Sequence, residues 1–413
     1  MSASDSLLPT RFAYRGWLIV GALFLASALT VGPIYAFGLF IDPVQASFGW
    51  QRTAISASLS FAAVGSIASP LIGRLMDRYG ARPVMTVSLA VMGTGFVLRP
   101  AMTQLWHWYV LSFLQYVAFS GSSALPAGRL VGIWFKRHRG RIMGLTAMGN
   151  NFGGLTLPLI TGFLLASGNW QSAYLVLGGL TFLIAVLCLA VIREQPGGGD
   201  AGDALVGQAV PAPRLEGLTL SDALCTESFY VLAAATMLAS FTYSAVLPQV
   251  ADHLSSRGMA VTTVPLAVSL LAAFGMVGKF GFGYLSERIT ARRAMMLSVG
   301  GQSVFVLAMV AFPTPPLAWL AVPLYGLFMG GYGALTPLII QETFGLRHFG
   351  SISGVVLLGS VVPFFLGPLL AGASFDLRDS YGPGFVLVAA MFVVSVAMLT
   401  QMRRPSLESV ASG

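Results

Sequence analysis

Charged side chains are scarce in this chain. Asp, Glu, Lys and Arg make up 9% of its 413 residues, whereas an ordinary soluble domain carries about 25%. Hydrophobic residues make up 56%, and the mean hydropathy is +0.79. This composition excludes an ordinary soluble protein and predicts an all-α protein that crosses a membrane many times.

The chain also lacks the residues that common enzyme sites need. Its two cysteines, Cys188 and Cys225, form no metal-binding or redox motif, and we expect no structural disulfide. A phosphate-binding loop ending at Lys279 would need glycine where Ala273 stands, and Phe280 follows the lysine instead of Ser or Thr. The histidines fall at predicted helix ends or in loops, at spacings that cannot form a metal site: His107, His138, His253 and His348. The sequence therefore predicts no enzyme, no metal and no cofactor.

Apolar runs long enough to cross a bilayer recur along the whole chain. They predict twelve transmembrane helices near residues 17–41, 53–73, 84–104, 107–133, 142–166, 170–192, 228–250, 264–286, 294–312, 317–341, 351–374 and 382–402. Within the first helix, Pro33 is predicted to cause an interruption, and Asp42 with Pro43 to end the helix. No cleavable signal peptide is expected, because the largely polar residues 1–15 lead directly into a full-length helix.

The basic residues separate by loop. One side holds Arg11, Arg15, Arg74, Arg78, Arg82, Lys136, Arg137, Arg139, Arg141, Arg193, Arg214, Arg288, Arg292, Arg293, Arg347, Arg403 and Arg404; the other holds Arg52, Arg99, Arg257 and Arg378. The positive-inside rule then predicts that both termini lie in the cytoplasm of a multi-pass protein of the cell (inner) membrane. The net charge of +8 is thereby explained as helix orientation, and no nucleic-acid partner is expected.

An internal repeat divides the chain. An offset of 210 positions relates Gly73-Arg-Leu-Met-Asp77-Arg78 to Gly283-Tyr-Leu-Ser-Glu287-Arg288 without a gap. The same offset relates Gly65 to Gly275, Gly121 to Gly331, Gly140 to Gly350, Gly144 to Gly354, Pro158 to Pro368 and Gly162 to Gly372. We predict two pseudo-symmetric six-helix halves, at 1–193 and 227–413, with a cytoplasmic linker at 194–226. Residues 197–213 read as flexible, and Leu215–Thr226 as a surface helix.

Lys279 lies inside an apolar run, Val264 to Tyr284, that carries no other charge. A charged side chain at the centre of a membrane helix costs about 2.5–3.5 kcal/mol on insertion scales and usually faces a watery cavity. The alternative is that the side chain reaches to the membrane surface. Lys279 is eight residues from Glu287, roughly 12 Å of helix, which is too far for a lysine to span comfortably. We therefore predict that Lys279 binds an anion.

The repeated motif gives the chain a family resemblance. Gly-X-X-X-Asp-Arg-X-Gly-X-Arg between the second and third helices resembles the signature of the major facilitator superfamily, and the second half carries a looser copy with Thr290 for the glycine. In that family the acidic residue and the arginines form a cytoplasmic charge relay that holds one gating state. The resemblance implies gating roles for Asp77, Arg78, Arg82, Glu287, Arg288 and Arg292. For Arg129, we favour a side chain that reaches the membrane surface over a gating role.

Further stretches resemble one branch of the superfamily, the monocarboxylate transporters and oxalate–formate antiporters. They are Tyr35 to Phe40, Trp134 to Gly140, and Gly330 through Gly345 to Gly350. Lys279 falls where that branch has a basic substrate-binding residue in its eighth helix. Two departures matter. The mammalian-type carriers have an aspartate four residues before an arginine, where this chain has Gly275. The oxalate exchanger adds a basic residue in its eleventh helix, which is uncharged here from Ser351 to Ser374.

Several polar and aromatic residues are further candidates for the substrate site: Tyr35, Tyr116, Asn150, Asn151, Tyr243, Tyr325 and Tyr332. For Tyr35, packing against lipid or core is an equal alternative. Asn150 and Asn151 could instead join helices. Tyr325 and Tyr332 share one helix face, as a cavity wall or as a packed core stripe.

We predict a monomeric secondary transporter of a small monocarboxylate anion. One buried positive charge matches one carboxylate, and a dicarboxylate would leave a second anion unpaired in a dry site. No acidic residue lies within a predicted helix core. Two mechanisms remain open: proton-coupled symport, in which Lys279 takes up its proton with the anion, and obligate exchange. A non-transporting anion sensor is a remote third alternative.

Overall fold

The computed structural model describes residues 10–166, 169–194, 215–260, 262–311 and 315–402. The first half contains helices Thr10–Phe48, Arg52–Tyr79, Ala81–Ala101, Arg139–Ala166 and Trp170–Val191, with a fourth helix made of Leu105–Val117, Phe119–Ser122 and Ala124–Trp134. The second half contains Glu227–Ser256, Val264–Ile289, Ala291–Ala311, Pro315–Phe344, Phe349–Arg378 and Gly382–Gln401. The predicted all-α fold of twelve helices is confirmed.

Ten of these helices are long and apolar enough to cross a membrane by length and composition alone. The other two are the segmented fourth helix and the glycine-rich fifth helix, Arg139–Ala166. The fourth helix changes direction at Ser123, whose backbone lies outside the helical region at φ −145° and ψ −64°. The hydropathy of these two helices alone does not predict that they cross the membrane, and packing against the other helices stabilises them there.

One end of the bundle, the basic end, contains the start of the first helix and the end of the twelfth. It carries Arg74, Arg78, Arg82, Arg137, Arg139, Arg141, Arg288, Arg292, Arg293 and Arg347. The linker residues 197–213, together with Arg11, Arg214, Arg403 and Arg404, belong to the positions whose side chains or backbone lie outside the described residues.

The two halves meet through glycine contacts that obey the repeat. A Cβ atom added to Gly73 would overlap the carbonyl oxygen of Gly350, and one added to Gly140 would overlap that of Gly283. Each residue of the first pair lies 210 positions from its counterpart in the second. The second helix therefore packs on the eleventh through the same glycine positions by which the eighth packs on the fifth, as the symmetry of the sequence implies.

The repeat extends to backbone conformation. Gly80 follows the second helix at φ +91°, and Thr290, its counterpart, follows the eighth helix at φ +88°. This region suits glycine, and for a β-branched residue it is a steric outlier. Thr290 therefore occupies a turn that is built for glycine.

Two expectations for the first helix prove wrong. The helix runs without interruption through Pro33 and continues past Asp42 and Pro43 to Phe48. Its last turn is held in place by tertiary contacts. The Trp170 indole donates a 2.9 Å hydrogen bond to Ser47 Oγ, and Phe48 stacks on Trp50 with ring centroids 4.4 Å apart. These contacts offset the hydrogen bond lost at Pro43.

The linker also differs from expectation. Only Leu220–Leu224 is helical within the predicted surface helix Leu215–Thr226. Before it, Gly217 pairs with Gly345 in an isolated antiparallel bridge. The Leu218 amide donates to the Phe344 carbonyl at 2.8 Å. The extended backbone is favoured because Gly217 has φ +140°, which a helix does not permit.

Thr290→Gly should stabilise the protein. A strained residue of this kind costs about 1–3 kcal/mol, and the flexibility that glycine adds to the unfolded chain costs roughly 0.5–1 kcal/mol. We expect a rise in the thermal unfolding temperature of the detergent-solubilised protein. The control is Thr263→Gly at the other end of the same helix, where φ is −100°. That variant should unfold at the same or a lower temperature, and a rise in both would contradict the strain at Thr290.

Candidate functional site

Lys279 lies in the interior of the eighth helix with 6% of its surface exposed. Its ammonium donates a hydrogen bond to Oδ1 of Asn151 on the fifth helix. Within the described residues no carboxylate forms an ion pair with Lys279. The side chain therefore does not reach the membrane surface, and its one hydrogen bond crosses between the two halves.

The orientation of the Asn151 amide is set by a second bond. Its Nδ2 donates to the carbonyl oxygen of Ala272 at 2.7 Å, so that Oδ1 is the atom left to face Lys279. Gly275 leaves room for this arrangement. A Cβ atom added there would lie 3.3 Å from Asn151 Nδ2 and 3.3 Å from the Gly326 carbonyl oxygen. The amide thus occupies space beside the position where the mammalian-type carriers have an aspartate.

Asn150 lies on the same helix as Asn151. Its Oδ1 is buried and has no hydrogen-bond partner. The flanking glycines, Gly149 and Gly153, pack against the backbone of Phe24 and Ala28 in the first helix. The fifth helix is therefore held between the first and eighth helices, with an unsatisfied acceptor near the level of Lys279.

The predicted tyrosines form a cluster between the seventh and tenth helices. Tyr325 is fully buried and shares a hydrogen bond with the Thr242 hydroxyl. Tyr332 donates to the Thr236 carbonyl at 3.0 Å. Its ring packs edge-on against that of Tyr243, with ring centroids 5.7 Å apart. The hydroxyls of Tyr325 and Tyr332 are thus engaged by the protein in this conformation.

Tyr243 lies on an irregular part of its helix. Residues Thr242–Val246 form one π-helical turn, followed by a 3-10 turn at Leu247–Gln249. The helix discontinuity predicted at Pro33 therefore occurs in the other half, near the position related to it by the repeat. Broken helices often line transport sites. The local cause is Pro248, which has no backbone N–H for a helical hydrogen bond.

The two remaining candidates lie in the first half. Tyr35 is 52% exposed, and its ring lies against Gly154 of the fifth helix. Tyr116 is buried in the fourth helix, with its carbonyl oxygen against Gly65. The structure brings Lys279 and Asn151 into direct contact and collects the tyrosines of the second half, while Tyr116 has no described contact with either group.

At the basic end, each predicted gating acid joins the two halves. Asp77 accepts backbone N–H groups from Gly350 at 2.9 Å and Ser351 at 2.7 Å, at the start of the eleventh helix. Glu287 accepts the backbone N–H of Arg141 at 2.8 Å, near the start of the fifth helix. These two arrangements are related by the 210-residue offset. A carboxylate at a helix N-terminus is electrostatically favourable.

The arginine partners of these acids are not those the motif implies. Arg129 forms ion pairs with Asp77 at 2.9 Å and Glu194 at 3.3 Å, and its side chain is 8% exposed. Arg141 pairs with Glu287 at 2.7 Å. The favoured interpretation of Arg129 as a residue that reaches the membrane surface is therefore wrong. Its position in an apolar helix was the signal for a buried partner.

The predicted gating arginines make other contacts. Arg82 donates to the Leu189 carbonyl at 2.8 Å, and Arg292 donates to the Met402 carbonyl. Arg78 lies over the Tyr79 ring at 5.2 Å, and Arg288 bonds the Tyr284 hydroxyl. Arg82 and Arg292 thus join helix ends within their own halves, whereas the contacts of Arg78 and Arg288 are with tyrosines of their own helices.

Arg99 was expected in an outer loop, but it is 2% exposed. Its guanidinium donates to Tyr174 Oη at 2.6 Å, and to Ser112 Oγ and Gln115 Oε1 at 3.1 Å. It also lies 4.2 Å from the centre of the Trp108 ring. Aromatic faces and neutral acceptors therefore compensate the buried charge. The loop prediction failed because hydropathy alone does not reveal such a polar and aromatic environment.

A sequence model of the Major Facilitator Superfamily matches residues 23–368 and, in a second match, residues 231–411. The chain belongs to this superfamily. Among solved structures, the proton:xylose symporter XylE aligns with a TM-score of 0.75 at 12% identity, covering 97% of this chain and 99% of that one. The human organic anion transporter MFSD10 aligns with a TM-score of 0.70 at 14% identity, covering 93% and 99%. These structures establish the shared fold.

Relatives of known type indicate which branch of the superfamily the chain resembles. Monocarboxylate transporter 11 of Mus musculus is 29% identical over 395 residues, covering 92% of this chain and 85% of that protein. Monocarboxylate transporter 12 of Mus musculus is 24% identical over 417 residues, covering 94% and 85%. The chain is thus a superfamily transporter related to monocarboxylate transporters, and the branch resemblance is confirmed.

Neutralising either gating acid should open the basic end of this transporter. Asp77→Asn and Glu287→Gln each remove an ionic contact between the halves. In a Cys225→Ser background, Ser353→Cys places a reporter thiol on the eleventh helix, where Ser353 is buried. We expect each neutralised variant to react several-fold faster with a membrane-impermeant maleimide added from the basic end.

The matched control for these variants is Asp42→Asn. Asp42 forms an exposed ion pair with Arg52 within the first half, and their side chains are 78% and 64% exposed. An exposed pair contributes little free energy, so the labelling rate should not change. Unchanged labelling in both Asp77→Asn and Glu287→Gln would show that these acids do not hold the closed basic end.

Proposed function

We propose that this transporter carries small monocarboxylate anions together with protons across the cell membrane by alternating access, with its basic end in the cytoplasm. The observation that carries the proposal is Lys279, a buried cation with no carboxylate partner in the described residues. A substrate carboxylate would supply the missing charge. The monocarboxylate transporters among its relatives support this class of substrate.

The charge available in the site favours one carboxylate over two. The eleventh helix carries no charged residue from Ser351 to Ser374. Arg99, the other buried cation without an acidic partner in the described residues, has its guanidinium enclosed by Tyr174, Ser112 and Gln115. A second carboxylate would therefore enter without a free counter-charge, which carries a large desolvation penalty.

The contacts between the halves support an outward-facing state. Besides those of Asp77 and Glu287, Ser69 Oγ donates to the Gly354 carbonyl at 2.7 Å, and Gln341 Nε2 donates to the Gly128 carbonyl at 2.7 Å. The contacts of Asp77, Glu287 and Gln341 lie between Lys279 and the basic end, and that of Ser69, the repeat counterpart of Lys279, lies at the level of Lys279. A basic end closed in this way leaves the opposite end as the route by which an anion reaches Lys279. The excess of basic residues at this end supports a cytoplasmic location for both termini, by the positive-inside rule.

Proton coupling follows from the charge balance. A proton and a monocarboxylate bind together without net charge: the neutral Lys279 amine takes up the proton, and the ammonium so formed pairs with the carboxylate until both are released. If the lysine instead had to cross the closed state as an unpaired ion, the return of the empty transporter would be costly. The protein would then be an obligate exchanger of carboxylates. Its monomeric state is part of the same proposal.

Lys279→Ala should abolish uptake of monocarboxylates without loss of folded protein, because the substrate loses its counter-charge. Lactate, pyruvate, acetate and formate are the substrates to test in proteoliposomes. The matched control is Lys136→Ala, since Lys136 is exposed at the basic end. Near-normal uptake by Lys279→Ala would refute the anchor. Lys279→Arg should alter the coupling, because a planar, permanently charged guanidinium does not replace an ammonium.

Uptake into vesicles without internal substrate tests the coupling. An inward proton gradient should drive accumulation of the anion above its external concentration. Uptake that appears only after the vesicles are preloaded with anion would refute symport and favour exchange. Binding without uptake under either condition would indicate a sensor instead of a transporter.

Competition by a dicarboxylate tests the charge argument. Oxalate should inhibit monocarboxylate uptake at least about tenfold less strongly than pyruvate, since an unpaired buried charge costs well over 1.4 kcal/mol. The assay is inhibition of radiolabelled uptake at a fixed pH at which oxalate is fully ionised. Equal inhibition by the two anions would contradict a site with one counter-charge.

A further inference from the structure

The contact between Lys279 and Asn151 has a feature that helix packing alone does not require. The Lys279 side-chain nitrogen donates to a neutral oxygen, which it can do as an ammonium or as a neutral amine, and that oxygen belongs to the opposite half of the transporter. The Asn151 amide is itself held by the Ala272 carbonyl, one turn from Gly275. Lys279 is therefore provided with a partner when no anion is bound.

Such a partner matters for the return of the empty transporter. After releasing its substrate, the site must pass through a closed state without an anion. A buried donor with no acceptor costs about 1–3 kcal/mol, and a charged one costs more. If Lys279 had no acceptor other than the substrate, this free energy would raise the barrier for the return of the empty transporter. It would not raise the barrier for the step that carries the substrate.

We propose that Asn151 is a positioning residue that holds Lys279 in the empty site and thereby permits net transport as well as exchange. The inference rests on the proposed function of Lys279 as the anion anchor. An incoming carboxylate replaces Asn151 Oδ1 as the acceptor of the Lys279 hydrogen bond. The bond from Asn151 Nδ2 to Ala272 keeps the amide in place, ready to accept again once the anion leaves.

The neutrality of the amide is part of its role. A carboxylate at this place would form an ion pair with Lys279 and compete with the substrate for it. Gly275 has no side chain to crowd the amide, since a Cβ atom there would lie only 3.3 Å from Asn151 Nδ2. Asn151 thus satisfies Lys279 weakly enough for a substrate anion to displace it.

A purely structural role for Asn151 predicts a different result. If the amide only joins the fifth and eighth helices, its removal should slow net transport and exchange alike. If it holds Lys279 in the empty site, only the step that the empty transporter performs should slow. The ratio of exchange to net efflux therefore separates the two roles.

The test compares two fluxes in Asn151→Leu, which is similar in size but has no acceptor. Radiolabelled pyruvate efflux from proteoliposomes is measured into buffer without substrate and into buffer with unlabelled pyruvate. We expect net efflux to fall about tenfold, because one buried donor is left unsatisfied during the empty return. The rate of exchange should fall less than about threefold. Equal losses in the two fluxes would overturn the proposal.

Thr156→Val is the matched control on the same helix. The Thr156 hydroxyl donates to the Phe152 carbonyl of its own helix, at 2.8 Å. Both fluxes should stay at the wild-type level. Asn151→Asp supplies a second comparison, because a fixed carboxylate should raise the KM for pyruvate at least about tenfold. An unchanged KM in Asn151→Asp would also count against the proposed competition.

A second measurement does not depend on transport. Thermal unfolding of the empty, detergent-solubilised protein is compared for Asn151→Leu, Lys279→Met and the double variant. We expect the double variant to lose less than the sum of the two single losses in unfolding temperature, because neither partner is left unsatisfied. Additive losses would show that Asn151 does not hold Lys279. If the wild type transported no carboxylate, the proposed function would fail, and this cycle would still decide the contact.

Discussion

Close backbone contact between the two halves is the constraint on which the rest of the structure depends. Gly73 meets Gly350, and Gly140 meets Gly283, without room for a Cβ atom in either pair. Small residues permit this approach in membranes, where no hydrophobic effect drives helices together. Because the backbones lie so close, Asp77 can accept the backbone N–H groups of Gly350 and Ser351. The contacts of Asp77 between the halves are thus a consequence of the glycine pattern.

The same constraint explains how much could be predicted from the sequence. The helices, the repeat, and the positions of Asp77, Glu287 and Lys279 on their helices were predictable because each depends on local composition or on a regular spacing. The partners of these residues were not, because they arise from tertiary packing. Arg129 and Arg141, which pair with the acids, lie on different helices from them. Arg99 appeared to be a loop residue because its aromatic neighbours come from other segments.

Local preferences of proline and glycine did not predict the backbone correctly in two places. Pro33 and Pro43 both lie within a continuous helix, while the irregular turn occurs at Thr242–Val246 in the other half. Thr290 has a conformation that its own residue type disfavours. The repeat accounts for this, since Gly80, its counterpart, ends the related helix with the same conformation. Tertiary structure and repeat symmetry outweigh a local preference of a few kcal/mol when many contacts require the same backbone path.

The residue that we propose as the anion anchor lies at a position where the two halves differ. Ser69 is the repeat counterpart of Lys279, and each side chain makes a hydrogen bond to the opposite half. The Ser69 hydroxyl bonds a backbone carbonyl, an acceptor that a closing bundle always provides. Lys279 cannot be satisfied in the same way, because a cation in hydrocarbon needs either an anion or a strong polar acceptor. Under the proposed function, replacement of a hydroxyl by an ammonium therefore turns a helix contact into a site whose free energy depends on whether an anion is present.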